Sequence, residues 1–344
     1  MNPSLRVLTP GLHTTVQDLG RTGYQSIGVP VSGALDGYGL RLANALVGNP
    51  QGMAGLEVLI NGPTIEIAAD AVRVALVGAG ARLAVGGERP RNVAEGRSVT
   101  LSCGETVQLV VGQASACCYL AIAGGIAVPP VLGSASTYVR AGIGGFNGRP
   151  LQGGDIVPLS MPSAAEGTEL QVSEPCVATG DQPIRVILGP QQERFTEEAV
   201  RLLLGAEFKV SQHADRMGMR LQGPLLGHRG GWDIVSDAIA TGSVQIPGSG
   251  QPIILLADHQ TTGGYPKIAT VISADLGVVG ARRPGDTLRF VAVELDAAEK
   301  VCREREARFA ERVAAIEPAT GGRTVDFGSL YGENLISGVV SGVK

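Results

Sequence analysis

Residues 252 to 272 read PIILLADHQTTGGYPKIATVI. Each end carries an aliphatic run, Pro252 to Leu256 and Lys267 to Ile272, of the length and branching expected of a buried strand. Between them lie Asp258, His259, Gln260, Thr261, Thr262, Gly263, Gly264 and Tyr265. That middle admits two readings. Gly263-Gly264 supply the backbone freedom of a turn, and the threonine hydroxyls can bond their own backbone, which describes an ornate hairpin. An acid, amide, hydroxyl, phenol and amine packed into residues 258–267 also describe a site.

The same strand signature recurs along the chain. Leu56 to Ile60, Thr64 to Ile67, Val72 to Val77, Thr106 to Val111, Cys118 to Ile122, Ile184 to Leu188, Ser243 to Ile246, Ile253 to Leu256, Ile268 to Val271 and Thr287 to Val293 are predicted strands. Gly, Pro or Asp punctuates nearly all of them, as antiparallel sheets require. Three helices are predicted. One starts at the N-cap Asp36 and stops at Gly48-Asn49-Pro50, a second runs from Thr196 to Gly205, and a third starts at Asp296, with Glu299 at capping-box spacing, and reaches about Ile316. The fold class is therefore mainly β with a few short helices and a C-terminal helix.

A chain of 344 residues exceeds what one core usually fills, since cores rarely grow past about 250–300 residues. Two β domains are expected, over residues 1–180, with a Gly-rich insertion at roughly 114–160, and 181–295; residues 296–344 form the C-terminal helix and a flexible tail. Three collinear matches suggest an internal duplication: Arg21-Thr22-Gly23 with Arg216-Met217-Gly218, Val74 to Val77 with Ile268 to Val271, and Cys103 to Val110 with Pro284 to Val291.

Other classes fall away. The net charge is −4, with no basic block, so neither a nucleic-acid footprint nor a membrane-binding patch is present. The N-terminal stretch lacks a basic then apolar leader, and no apolar run reaches membrane-spanning length, so a cytoplasmic location is expected. Five cysteines without a C-x-x-C pair argue against a disulfide framework or a zinc ribbon, and four histidines without helical i, i+4 spacing argue against a metal site. Val77-Gly78-Ala79-Gly80 lacks the third glycine and the helix of a dinucleotide fingerprint, and neither a phosphate-binding P-loop nor a G-x-S-x-G elbow occurs.

Three polar clusters remain. Ser32, Asp36 and Asn44 form the first; Asp36 reads as a helix cap, whereas Asn44, among apolar positions, needs partners that a substrate or a neighbouring loop supplies. In the second, Gln212 to Arg220, Asp215 and Arg216 fall on opposite faces of an extended segment. Arg216 suits bidentate binding of a carboxylate or phosphate, or equally the tying of a neighbouring loop. The third is the opening stretch, with Gln245 just before it.

Thr14-Thr15-Val16-Gln17-Asp18-x-Gly20-Arg21, Gly28-Val29-Pro30-x-Ser32-Gly33-Ala34-x-Asp36, Ala43-Asn44-x-Leu46-Val47-Gly48-Asn49, Gly133-Ser134-x-Ser136-Thr137-Tyr138, Gly144-Gly145-Phe146-x-Gly148-Arg149 and Asp258-x-Gln260-Thr261-Thr262-Gly263-Gly264-Tyr265-Pro266 together resemble the biotin-dependent carboxyltransferase family. That family includes KipA, the 5-oxoprolinase component PxpC and the second subunit of the so-called allophanate hydrolase. The resemblance implies two cyclophilin-like β-barrel domains and an ATP-dependent 5-oxoprolinase complex, converting 5-oxoproline to L-glutamate, with a KipI/PxpB-like and a PxpA-like subunit. ATP would be bound by the complex rather than by this chain, and biotin, if used, carried by another protein. A urea carboxylase-like carboxyltransferase and a KipA-type regulator that binds an inhibitor of a sensor kinase are the alternatives.

Within the enzymatic reading, Arg216 or Lys267 is expected to neutralise charge and Asp258 or Tyr265 to transfer a proton. Ser32, Asp36, Asn44, Arg220, Gln245, Gln260, Thr261, Thr262, Gly263 and Gly264 are expected to hold substrate.

Overall fold

The computed structural model describes residues 3–161, 167–174 and 182–319. The first domain is two facing antiparallel sheets. One runs in the order Ile156–Pro158, Ser4–Thr9, Thr64–Ala68, Thr106–Val110, Arg82–Gly86 and Arg91–Ala94; the other begins with His13–Gln17, Gly55–Leu59, Cys117–Ile122, Ala71–Val77 and Arg97–Ser102. Alternating side chains from both meet in one core, with Leu5, Ile65 and Leu83 from the first facing Val16, Val58, Leu76 and Leu120 of the second.

The second of these sheets is also covered on its outer face. Helix α1 (Gly37–Leu46) lays Leu40, Ala43 and Leu46 against Ala75, Val77, Cys117, Tyr119 and Ala121. Cys117–Ile122 is consequently buried at every position. Burial pushes the Cys118 thiol up to about 12, and the Cys117 thiol also well above its usual value, so both behave as small apolar side chains.

The second domain is one eight-stranded sheet: Thr287–Leu288, Phe208–Ala214, Gly218–Gln222, Ile253–Leu255, Ser243–Gln245, Lys267–Val271, Ile184–Leu188 and Phe290–Ala292. Its two edge strands are consecutive in the chain, separated by Arg289 alone. The sheet therefore curls until its edges nearly meet, which is how a β-barrel disposes of unpaired edges. Helix α2 (Glu197–Gly205), capped by Thr196 accepting from Ala199 N, contributes Ala199 and Leu203 to this core. The fold class is mainly β, as the sequence predicts.

The stretch 252–272 is not a hairpin. Ile253–Leu255 and Lys267–Val271 do not pair with each other; both pair with Ser243–Gln245, which lies between them. The polar connection is long because it crosses over an intervening strand. On the way Thr262–Gly263 pairs with Asp237–Ala238 as a separate two-stranded ribbon.

The suggested duplication is not reproduced in strand pairing. Arg216 sits in the tight turn between Phe208–Ala214 and Gly218–Gln222, whereas Arg21 begins a long excursion to α1. Thr106–Val110 lies between antiparallel neighbours, while Phe290–Ala292 runs parallel to Ile184–Leu188. Short Gly-rich β segments match by composition without sharing a position in the sheet.

Helix α3 (Leu276–Gly280), which sequence periodicity missed because it is a single turn of small residues, packs on Leu35 and Asp36: a Cβ on Gly277 would lie 2.3 Å from Asp36 Oδ1. Helix α4 (Leu295–Ala314) starts at Glu294, without a side-chain cap, rather than at a capping box on Asp296. It returns to the first domain, where Phe309 packs edge-on to Tyr38 of α1, Arg41 stacks on Phe309, and Arg41 and Glu306 form a two-pronged ion pair. The predicted tail lies almost wholly outside the described residues.

Candidate functional site

A charged seam joins the domains. Arg216, whose side chain is 5% exposed, faces Glu57 of the first domain, 0% exposed, and Asp258 of the second. Its Nε and Nη2 donate to Asp258 Oδ2 and Oδ1 at 2.9 and 3.0 Å, its Nη1 to Glu57 Oε1, and its Nη2 also to Gly33 O at 2.7 Å. Glu57 Oε2 accepts from Leu35 N and Tyr119 Oη, each at 2.8 Å, and Tyr119 Oη accepts from Asp36 N at 2.7 Å. Burial alone would lower the Arg216 pKa, but the Glu57 and Asp258 carboxylates outweigh it and raise it above the usual guanidinium value. All partners are satisfied, so this network is a clamp, and its arginine is permanently charged.

A second region pins the Gly-rich insertion. Asp18 Oδ1 accepts from Ser134 Oγ at 2.6 Å and Ser136 Oγ at 2.5 Å, and Asp18 Oδ2 from Ala135 N at 2.6 Å. Thr137 Oγ1 donates to Val16 O at 2.8 Å, and the buried Arg21 donates to Ser136 O. A Cβ on Gly144, at φ +70°, would meet Ser136 O at 2.0 Å, so only glycine permits this approach. Two sequence motifs about 115 residues apart are thus halves of one fixture.

An open cleft of about 620 Å³ lies on the second domain. Gln212, His213, Asp215, Met217 and Arg220 form one wall, Ile253 and Leu255 the floor, and Gln245, Gln260 and Tyr265 the other wall. Arg140 enters from the first domain and reaches Met217 Sδ. Asp215 Oδ1 accepts from Met217 N and Gly218 N at 2.8 and 3.1 Å, fixing the turn that aims Arg216 into the seam and Met217 into the cleft. Gln245 Nε2 donates to Tyr265 O at 3.3 Å. Gly263 packs beside both amides: a Cβ there would stand 3.0 Å from Gln245 Nε2 and 2.7 Å from Ile239 Cδ1.

Of the expected site residues, Arg220, Gln245, Gln260 and Tyr265 line this cleft, with Gly263 immediately behind. The others lie elsewhere. Arg216 and Asp258 neutralise each other in the seam. Lys267 is buried and donates from Nζ to Asp237 Oδ2 at 2.8 Å and Ala238 O at 3.2 Å, anchoring the ribbon; that hydrogen bond holds the Asp237 carboxyl below its usual range. Asn44 receives its partners from the chain itself: Nδ2 donates to Gln51 O and Met53 O, and Oδ1 accepts from Asn49. Asp36 is the N-cap of α1, accepting from Tyr38 N at 3.1 Å, and burial raises its pKa, partly offset by Arg305. Ser32 (φ 56°) ties its N–H to Ala257 O at 3.0 Å across the seam. Thr261 and Gly264 use their carbonyls to fix Ile239 and Ile234, and Thr262 belongs to the ribbon.

Glu57 and Arg140 were not among the expected residues, yet each leaves a trace in the sequence. Glu57 interrupts an aliphatic strand, Gly55–Leu59, and Arg140 is the sole charged residue between Glu105 and Arg149.

The fold and both polar regions match a known family. The family described as carboxyltransferase domain, subdomain A and B, matches residues 27–292. This chain belongs to that carboxyltransferase family. It is 37% identical to the C-type subunit of 5-oxoprolinase from Escherichia coli over 310 residues, covering 90% of this chain and 97% of that protein. It is also 32% identical to urea amidolyase of Saccharomyces cerevisiae over 325 residues, 87% of this chain but 17% of that longer protein. Among solved structures, urea amidolyase of K. lactis superposes with a TM-score of 0.80 at 30% identity, covering 90% of this chain and 20% of that one. Among the described residues no helix is long and apolar enough to cross a membrane.

Proposed function

We propose that the chain is the C-type subunit of an ATP-dependent 5-oxoprolinase, which opens 5-oxoproline to L-glutamate together with a KipI/PxpB-like subunit and a PxpA-like subunit. The observation that supports it best is the 37% identity to the C-type 5-oxoprolinase subunit of Escherichia coli, spread over 97% of that protein's length. Opening a lactam requires that its carbonyl be polarised and that charge developing on the amide be met by oriented donors. The Gln245 and Gln260 amides and the Tyr265 phenol face one another across a cleft of suitable size, with Tyr265 as the group placed for proton transfer. Lys267 and Arg216 act one layer back: Lys267 holds the Asp237–Ala238 ribbon that pairs with Thr262–Gly263, and Arg216 fixes Asp258 at the start of the same segment. ATP would be bound elsewhere in the complex.

A carboxyltransferase reading uses the same cleft, and the 0.80 TM-score to urea amidolyase favours it as the second choice. Biotin would then arrive on another protein; amide side chains such as Gln245 and Gln260 suit a ureido group, which presents one carbonyl and two N–H groups, and they would orient it. Co-expression with the partner subunits, followed by an assay for ATP-dependent glutamate release from 5-oxoproline, separates these readings. Turnover is expected; an assembled complex that releases no glutamate but carboxylates urea from carboxybiotin would establish the second, and one that does neither would favour a KipA-type regulatory role.

A further inference from the structure

We propose that Arg140, delivered by the first domain, and Arg220, from the second, form a two-sided clamp that binds the carboxylate of a small anionic amide in the cleft. This deepens the function proposed above and rests on it only for the identity of that amide.

The argument begins with charge accounting. Nearly every other cleft-side or seam cation is already matched: Arg216 by Glu57 and Asp258, Lys267 by Asp237. Arg140 and Arg220 have no carboxylate partner among the described residues, and both are exposed at the cleft. The one acid in the cleft wall, Asp215, spends Oδ1 on two backbone N–H groups of its own turn. The wall therefore presents two unmatched guanidinium groups beside two neutral amides and a phenol. A guanidinium offers a planar fork of donors that fits a carboxylate in two-pronged fashion. The amides and phenol complement a carbonyl and an N–H. Together they specify a small molecule with one carboxylate and one amide.

Presentation of Arg140 is the second observation. Its turn, Val139–Ala141, is bracketed by the Tyr138–Ile143 bridge, with Tyr138 N donating to Ile143 O at 2.9 Å. The segment leading into it is the one fixed by Asp18, Arg21 and Val16. A long side chain on a rigid base loses less freedom on binding than one on a mobile loop, so the fixture pre-organises half of the clamp. It also makes the site composite: neither domain alone supplies both guanidinium groups.

The chain has a single tryptophan, and Trp232 lies 6.0 Å, centroid to centroid, from the cleft residue Tyr265. Its fluorescence can therefore follow titration of the full chain with 5-oxoproline, with 2-pyrrolidinone, which is the same ring without the carboxylate, and with a panel of other small carboxylates bearing an amide. The expected result is saturable 5-oxoproline binding that Arg140→Gln and Arg220→Gln each weaken about ten- to hundredfold, the worth of a charge-assisted hydrogen-bonded pair. Binding of 2-pyrrolidinone should be weak and the same in wild type and variants. Arg140→Lys should recover only part, because the charge remains and the fork is lost. Because both side chains are exposed, melting temperatures should not move, which separates loss of the clamp from loss of fold. If the wild type binds another amide carboxylate in an Arg140-dependent way and ignores 5-oxoproline, the clamp stands and the proposed reaction falls. Equal binding of 5-oxoproline by wild type and both Gln variants, or no binding of any anion in the panel, overturns the clamp.

Discussion

The seam and the cleft are built from the same short segment yet treat charge in opposite ways. At Asp215-Arg216-Met217 the chain turns; Arg216 enters the seam and is enclosed by Glu57, Asp258 and Gly33, while Met217 and Asp215 face the cleft. In the seam each charge has a partner and no water, so the group can neither bind nor exchange a proton at ordinary pH. In the cleft the guanidinium groups of Arg140 and Arg220 stay unmatched and wet. An arginine in a functional-looking motif is thus assigned to structure or ligand by the carboxylates around it, which neighbours far along the chain supply.

The comparison can be broken hardest at the seam. Arg216→Ala leaves Glu57 and Asp258 facing each other without a cation, and denaturant unfolding should show a loss of about 3–5 kcal/mol, the cost of removing one member of a buried charge network. An effect below about 1 kcal/mol would mean that the seam is solvated. Adding Glu57→Ala to Arg216→Ala should restore part of the loss, since it removes one of the stranded charges.

The cleft should answer the other way. Tyr265, 38% exposed, can be changed to Phe with stability altered by no more than about 0.5 kcal/mol, while turnover by the reconstituted complex should fall about a hundredfold if the phenol transfers a proton. A variant that keeps full rate would move proton transfer to another group.

Between the two lies His259, fully buried on the connection from seam to cleft. Its Nδ1 donates to Gln260 O at 2.6 Å, which leaves Nε2 to accept from the Thr241 hydroxyl at 3.1 Å. Burial lowers its pKa below 6.5, against smaller raising effects of the Gln260 carbonyl and Asp258. The unfolded chain then binds the proton first, so stability is complete above about 6.5 and declines as pH falls from there toward the lower folded-state value. Burial depresses the His13 pKa as well, so it adds to the same slope. His259→Gln should flatten the decline in a pH series of thermal melts; an unchanged slope would assign it to other groups.

The smallest effect belongs to the outer surface. Glu306→Gln removes the ion pair with Arg41, but Glu306 is 59% exposed, so solvent screening limits the loss to about 0.5–1 kcal/mol. Phe309 remains packed beneath Arg41 and should hold the helix in place.

Much of the fold was legible in the chain. Helix α1 begins at Asp36 and α2 at Thr196 because a short polar side chain can accept from the first free N–H groups wherever it occurs. Strands such as Val72 to Val77 announce themselves by branched apolar residues. Phe208–Ala214 and Gly218–Gln222 did not, because half their residues face solvent and carry Lys, Gln, His and Arg. In the site, Gln245, Gln260, Tyr265 and Arg220 were legible as polar groups in a dense cluster. Arg140 was not, although its isolation as the one charge in a long neutral stretch marked it.

By itself, then, the sequence determined the β class, the family, the caps of two helices and the loading of polar side chains onto residues 258–265. These follow from local chemistry: branching, cap geometry, glycine freedom and alternation act within a few residues. Only the tertiary structure decided that Ile253–Leu255 and Lys267–Val271 flank a third strand rather than each other, that Arg216 meets Glu57 159 residues away, and that Arg140 crosses to the cleft of the other domain. Partnership between charges depends on which surfaces are brought together and dried, and that is fixed by packing over long separations in the chain.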